Sequence, residues 1–215
     1  KDLVHGPIEA LFTIDEETGM TGAFGLKAGE LDGDILLNLD SETEGELYVG
    51  CAGGIDATIR FDFKKEAMPA GYAAYELSVK GMKGGHSGMD IILGRGNANK
   101  TLFRILKALE AVDVRLGNIN GGSLRNAIPR EAFCTIAVPT DKAQEAMNIV
   151  KELEAVVKSE LSAVEPDLVI TMTEASSCEF VMDTDAAKRV VRAIYACPNG
   201  VYRMSDSMEN LVETS

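Results

Sequence analysis

From about residue 55 onward the chain alternates segments of two hydrophobic periods, and their order leaves few folds open. Tyr72 to Val79 reads as a strand. A helix follows from about Asn97 to Val112, with Ala98, Leu102, Ile105, Leu106, Leu109 and Val112 in one stripe at helical spacing. Val114 to Ile119 and Ala132 to Val138 read as strands. A second amphipathic helix starts after a Thr140-Asp141 cap and runs to about Leu161, with Met147, Val150, Leu153, Val157 and Leu161 inward. Asp167 to Thr173 is a further strand and Asp185 to Ala196 a third helix. Upstream, Ile55, Ala57, Ile59, Phe61 and Phe63 alternate with Asp56, Thr58, Arg60 and Asp62, the pattern of a strand with one wet face. Strand, strand, helix, strand, strand, helix, strand is satisfied by two helices packed on one face of an antiparallel sheet. The expectation for 55–215 is therefore an α+β domain.

The first 54 residues have a different character. Ile8 to Ile14 is a continuous apolar run with the length and branched residues of a buried strand, and it ends in Asp15-Glu16-Glu17. Asp34 to Leu39 is a second such run, ending in Asp40-Ser41-Glu42-Thr43-Glu44. Unbroken apolar strands suit a parallel sheet buried on both faces, and α/β sheets bind ligands outside the carboxyl ends of their strands. Residues 1–54 are thus expected to be an α/β fragment, with Glu46 to Ala52 as one more strand and the boundary near Gly53-Gly54. Strand-like residues begin within a few positions of Lys1, and Leu211 to Ser215 reads as the opening of another strand. A piece of a longer protein is the expectation.

A formal charge of −13 argues against nucleic acid or an anionic membrane as partner. The cysteines Cys51, Cys134, Cys178 and Cys197 are dispersed, with no Cys-x-x-Cys pair, which predicts reduced thiols that serve mostly as small core residues. No apolar run approaches membrane-spanning length, and Lys1-Asp2 opens no signal peptide, so a cytoplasmic location is expected.

Three adjacent acids at the end of a buried strand repel one another unless a counter-charge is present. A divalent metal would supply one, although on spacing alone a solvated acidic turn is the commoner outcome. A dinuclear centre needs about three protein ligands per metal. With two histidines, His5 and His86, either there is no such site or its remaining ligands lie outside these 215 residues. His86 sits in Gly84-Gly85-His86-Ser87-Gly88. A lone His in such a loop is more often a surface or backbone-bonded residue, yet the flanking glycines allow close approach by a ligand. Ser87 is not a nucleophile elbow, because Met89 stands where the second Gly is needed. Gly94-Arg95-Gly96 lacks the Lys and Ser/Thr of a phosphate loop. Asn126 with Arg125 and Arg130 could grip a carboxylate or an amide, or simply form a turn before Pro129.

Taken together, Thr13-Ile14-Asp15-Glu16-Glu17-Thr18-Gly19-Met20-Thr21-Gly22-Ala23, Asn38-Leu39-Asp40-Ser41-Glu42, Gly84-Gly85-His86-Ser87-Gly88 and Arg125-Asn126-Ala127-Ile128-Pro129-Arg130 resemble, in order, the bacterial aminoacyl-histidine (cytosolic non-specific) dipeptidases. These belong to the co-catalytic zinc peptidases that carry a lid and dimerisation domain. The resemblance implies an α/β catalytic-domain fragment over 1–54 and much of an α+β lid over 55–215. It implies two Zn²⁺, with Co²⁺ or Mn²⁺ as alternatives, in the parent enzyme. It further implies that Glu16 is the general base, Glu17 a ligand of one metal and Asp40 of the other. His86 matches a lid histidine that stabilises the oxyanion in the partner subunit's active site, and Asn126 matches a lid residue near the substrate, with Arg130 beside it kept as a substrate-binding candidate from the residues themselves. The implied partners are a dipeptide substrate such as Xaa-His and a second copy through the lid, with no nucleic acid and no membrane. The family's His-x-Asp motif and its last zinc-binding His fall outside this sequence, so the chain alone is expected to be inactive and to bind zinc weakly. A related zinc amidohydrolase of desuccinylase or aminoacylase type, or a non-catalytic dimerisation module, are the alternatives.

Overall fold

The alternation of periods becomes a βαββαβ unit. In the computed structural model, which describes residues 3–40 and 43–215, strands β1 (Tyr72–Lys80), β2 (Arg115–Gly121), β3 (Ala132–Pro139) and β4 (Val169–Glu174) form one antiparallel sheet in the order β2-β3-β1-β4. Helices α1 (Ala98–Leu109) and α2 (Ala143–Glu160) connect β1 to β2 and β3 to β4. Leu77 of β1 stands opposite Cys134 of β3 and Met172 of β4, which places alternate residues of three strands on the helix-covered face. There Leu77, Val79, Cys134, Ile136, Val138 and Ile170 pack with Leu102, Ile105, Leu106 and Leu109 of α1 and Val150 and Val157 of α2. Burying side chains of this size stabilises by roughly 1.5–3 kcal/mol each, so this single core dominates the second unit. Arg104 of α1 holds Glu160 of α2 in a two-armed ion pair at 2.6 and 3.0 Å, which keeps the Glu160 carboxyl below the usual carboxylate range.

A third helix, α3 (Thr184–Ala196), is fixed at both ends. Asp183 accepts from Ala186 N (3.0 Å) as its N-cap and from Lys64 N (2.8 Å), and these N–H groups hold its carboxyl below the usual range. At the other end Lys100 of α1 donates from Nζ to the carbonyls of Ile194, Tyr195 and Cys197, at 2.7, 2.7 and 2.5 Å. Three donors meet three orphan carbonyls at the negative end of a helix. Replacing Lys100 by Met keeps the aliphatic stem and removes the cap. The expected outcome is a loss of about 1–2 kcal/mol in chemical denaturation.

Two expectations are corrected. Thr140 does not cap α2: Thr140–Lys142 forms a 3₁₀ turn, and both the N–H and the hydroxyl of Thr140 donate to the Gly71 carbonyl, at 2.9 and 2.7 Å. That threonine closes the sheet end across from β1 rather than starting the helix. The strands expected at Ile8 to Ile14, Asp34 to Leu39, Glu46 to Ala52 and Ile55 to Phe63 are absent among the described residues, and their apolar side chains are exposed. An apolar run marks which faces a strand would bury, but a strand exists only when a neighbour pairs its N–H and C=O groups. The described residues contain no such neighbour for them. Ser41 and Glu42 lie outside the described residues. Of the four cysteines, Cys134 and Cys178 are buried, where burial pushes their thiols up, whereas Cys51 and Cys197 are exposed.

The chain divides into two compact units, Lys1–Gly53 and Gly54–Ser215. The first is built on turns. Glu9 accepts from the N–H groups of Asp32 (2.9 Å) and Gly33 (2.8 Å), and a short helical turn covers Thr21–Gly25. Near the end of the second unit Arg203–Met204 pairs with Val212–Thr214, so a strand does open where the sequence indicated one.

Candidate functional site

The sequence-predicted lid residues are brought together by two very short strands. Gly85–His86 pairs antiparallel with Ala127–Ile128, and Ser87 N donates to the Asn126 carbonyl at 2.8 Å. Residues some forty positions apart are thereby joined. Gly84 and Gly85 (φ 66° and 139°) let the loop fold back on itself, since an L side chain is strained at either. A Cβ on Gly85 would meet the Asp90 carboxylate and the Arg95 guanidinium. Those two groups brace the loop. Asp90 Oδ2 accepts from His86 N (2.8 Å) and pairs with Arg95 (3.4 Å), while Arg95 donates to the Gly84 carbonyl (2.7 Å). Gly94-Arg95-Gly96 therefore serves the loop's own architecture.

The imidazole of His86 is exposed, and its Nδ1 accepts from two backbone donors, Gly88 N (3.0 Å) and Met89 N (3.2 Å). With Nδ1 committed as an acceptor, the neutral ring carries its proton on Nε2. The loop thus presents one N–H donor on a ring whose orientation is fixed by its own backbone. Such a donor can stabilise developing negative charge on an oxygen.

Beside it a cavity of about 440 Å³ is lined by Ser87, Asn97, Asn99, Ser123, Arg125 and Ile128, among others. Arg125 pairs with Asp56 at 2.8 Å, with both side chains largely exposed. Asn126 is half-buried, and Arg130 is exposed with its aliphatic stem against Gly84.

The acidic stretch behaves differently. Asp15 adopts a left-handed backbone (φ 62°), and its carboxylate accepts from the hydroxyls of Thr18 and Thr21 while its carbonyl accepts from Gly19 N (3.1 Å). Asp tolerates this conformation because its short side chain bonds locally. Gly22 backs the turn, since a Cβ there would lie 2.6 Å from Ile14 N. Asp15 is the anchor of the turn and leaves Glu16 and Glu17 exposed at its tip. Asp40 is also exposed. No group of three or more His, Cys, Asp or Glu side chains converges among the described residues. Carboxylates suit a divalent cation, but the donor set present does not complete a site, so no chemical step is derived through a metal. Sequence reading missed the anchoring role of Asp15, although threonines three and six positions on are a signal for it. It also missed Glu165, a buried carboxylate for which a lone Glu after a helix gives no signal.

Residues 77–165 match the peptidase dimerisation domain of M20 type. That stretch is less than half of the chain. Over its whole length it is 47% identical to the cytosol non-specific dipeptidase of Escherichia coli (strain K12), of which it spans 44%. In structure it is similar to the aminoacylhistidine dipeptidase of Vibrio alginolyticus, with a TM-score of 0.81 and 51% identity over 94% of this chain and 41% of that one. The M20 match opens inside β1 at Leu77 and closes at Glu165 just beyond α2, so it holds the His86 loop and the Asn126 turn together. As expected from the sequence, the second unit holds an antiparallel sheet with helices on one face. Among the described residues, no helix is long and apolar enough to cross a membrane.

Proposed function

We propose that this chain is part of a zinc dipeptidase that hydrolyses dipeptides such as Xaa-His. The 47% identity over the whole chain to a dipeptidase carries this reading, and the fixed Nε2–H donor of His86 supports it. Residues 1–54 are the tail of a catalytic domain and 55–215 the lid. His86 donates to the oxyanion formed when the peptide carbonyl is attacked, and it acts in the partner subunit's site of a homodimer joined through the lid. Glu16 is the general base. Glu17 and Asp40 each contribute one ligand to a pair of zinc ions, Co²⁺ or Mn²⁺ being able to replace them, whose other ligands lie outside these residues. Asn126 and Arg130 border the substrate, and the enzyme works in the cytoplasm.

The assay is hydrolysis of Ala-His and Gly-Leu with and without a chelator. A protein of the relatives' length that carries this stretch is expected to cleave both and to lose activity on chelation. The 215-residue chain by itself is expected to cleave neither and to bind Zn²⁺ weakly in calorimetry, since it lacks most ligands. Turnover by the 215-residue chain would overturn the assignment of the missing ligands.

A further inference from the structure

We propose that Glu165 is a positioning residue for His86. The residue is 2% exposed, and among the described residues its carboxylate is held by two backbone N–H groups rather than by a cation. Oε2 accepts from Lys83 N at 2.8 Å and Oε1 from Gly96 N at 2.9 Å. Those two N–H groups stand on the two legs of the loop that carries His86, one just before Gly84 and one just after Arg95. A single carboxylate thus closes the loop at its base. The glutamate is itself held: its N–H donates to the Leu161 carbonyl (2.7 Å), and its carbonyl accepts from Leu168 N (3.3 Å). A Cβ at Gly96 would lie 3.0 Å from the Leu161 side chain and 3.1 Å from that of Met82, so this leg of the loop is closely packed where it meets the carboxylate.

Burying a carboxylate is costly, and an apolar residue of similar volume would fill the same space without that cost. The charge does what an apolar residue cannot, which is to accept from two backbone donors at once. A glutamine has one oxygen and must turn its NH₂ toward the other N–H. Above the clasp, the bonds to the His86 ring and the bond that His86 N donates to Asp90 depend on the two legs keeping their separation. Glu165 touches neither substrate nor the imidazole. It acts through the loop.

This inference rests on the proposed role of His86 as an oxyanion donor, and the test separates the two. Steady-state kinetics on Ala-His are run for a protein of the relatives' length with Glu165→Gln, His86→Ala and both together. Amide exchange over residues 84–95 and the ring ¹⁵N shifts of His86 are read on the 215-residue chain. Glu165→Gln is expected to speed exchange across the loop, to mix the imidazole tautomers, and to lower kcat about 10- to 100-fold with KM within about threefold. In the His86→Ala background the same change should cost less than about twofold, because the group it positions is gone. An equal loss in both backgrounds, or unchanged exchange in the loop, overturns the proposal. Full activity of His86→Ala alone overturns the reading beneath it and shows up in that arm by itself. Should Glu165→Gln fail to fold, Glu165→Asp keeps the charge but reaches only one N–H. Its kcat is expected to be intermediate, and wild-type behaviour of Glu165→Asp would overturn the clasp.

Discussion

His86→Ala is expected to lower kcat for Ala-His about 10²- to 10³-fold in a protein of the relatives' length, the usual effect of deleting one oxyanion donor. The expectation follows from the ring's bonding. Gly88 N and Met89 N occupy Nδ1, so the single ring proton sits on Nε2 and the donor is aimed before any substrate arrives. A preorganised donor contributes chiefly where charge develops, so KM should move little. The side chain is exposed, and its loss should change the thermal stability of the domain by no more than about 1 kcal/mol. A Gln at the same position offers an N–H of similar reach and should recover part of the rate. Glu16→Gln, by contrast, removes a proton acceptor while leaving a hydrogen-bonding side chain on the Asp15 turn, and its loss should be of similar order. If His86→Ala retains more than a fifth of wild-type kcat, His86 does not contact the reacting oxygen.

How far these residues could be read from sequence depends on the range of the contacts that place them. The α1 stripe is local. A period of 3.6 puts Ala98, Leu102, Ile105, Leu106 and Leu109 on one side whatever else the chain does, and all five are buried, as is Val112 in the 3₁₀ turn that follows. Strand existence is not local. Ile55 to Phe63 has flawless alternation and no pairing strand among the described residues, whereas β1 reads as a strand and is one because β3 and β4 flank it. The Thr140 cap failed for a related reason: a hydroxyl placed before a helix has a second option when the Gly71 carbonyl of another turn lies 2.7 Å away. His86 and Asn126 were legible as candidates through motif resemblance, but their juxtaposition depends on pairing two strands of two residues each, which no periodicity can announce. Glu165 lay furthest from view, because its partners are backbone N–H groups at positions 83 and 96 and carry no side-chain signature.

Gly81→Ala is expected to destabilise the second unit on the order of 2–5 kcal/mol. The glycine ends β1 at φ 77°, in the left-handed region, where an L residue costs roughly 1–2 kcal/mol. Added to that is a collision, because a Cβ at this position would run into the backbone carbonyl of Asp167 and lie 2.9 Å from its carbonyl carbon. A flexible side chain could step aside, but Asp167 is backbone leading into β4, whose Val169 and Ile170 are fixed opposite Lys80 and Val79. Relief would have to come from slipping that pairing or lifting the end of β1, and overpacking of this kind typically costs a further 1–3 kcal/mol. Thermal unfolding of the 215-residue chain reads the sum as a midpoint drop of roughly 4–20 °C, at about 2–4 °C per kcal/mol for a domain of this size. Gly71→Ala is the control. Gly71 also has a positive φ (80°), but a Cβ there meets nothing within 4 Å, so only the conformational part of the cost should appear. Equal losses at the two glycines would mean that the contact between the end of β1 and the entry to β4 contributes nothing. The loop that carries His86 begins at that contact, so a Gly81 variant that stays folded should also exchange its 84–95 amides faster, as the Glu165 clasp would lead one to expect.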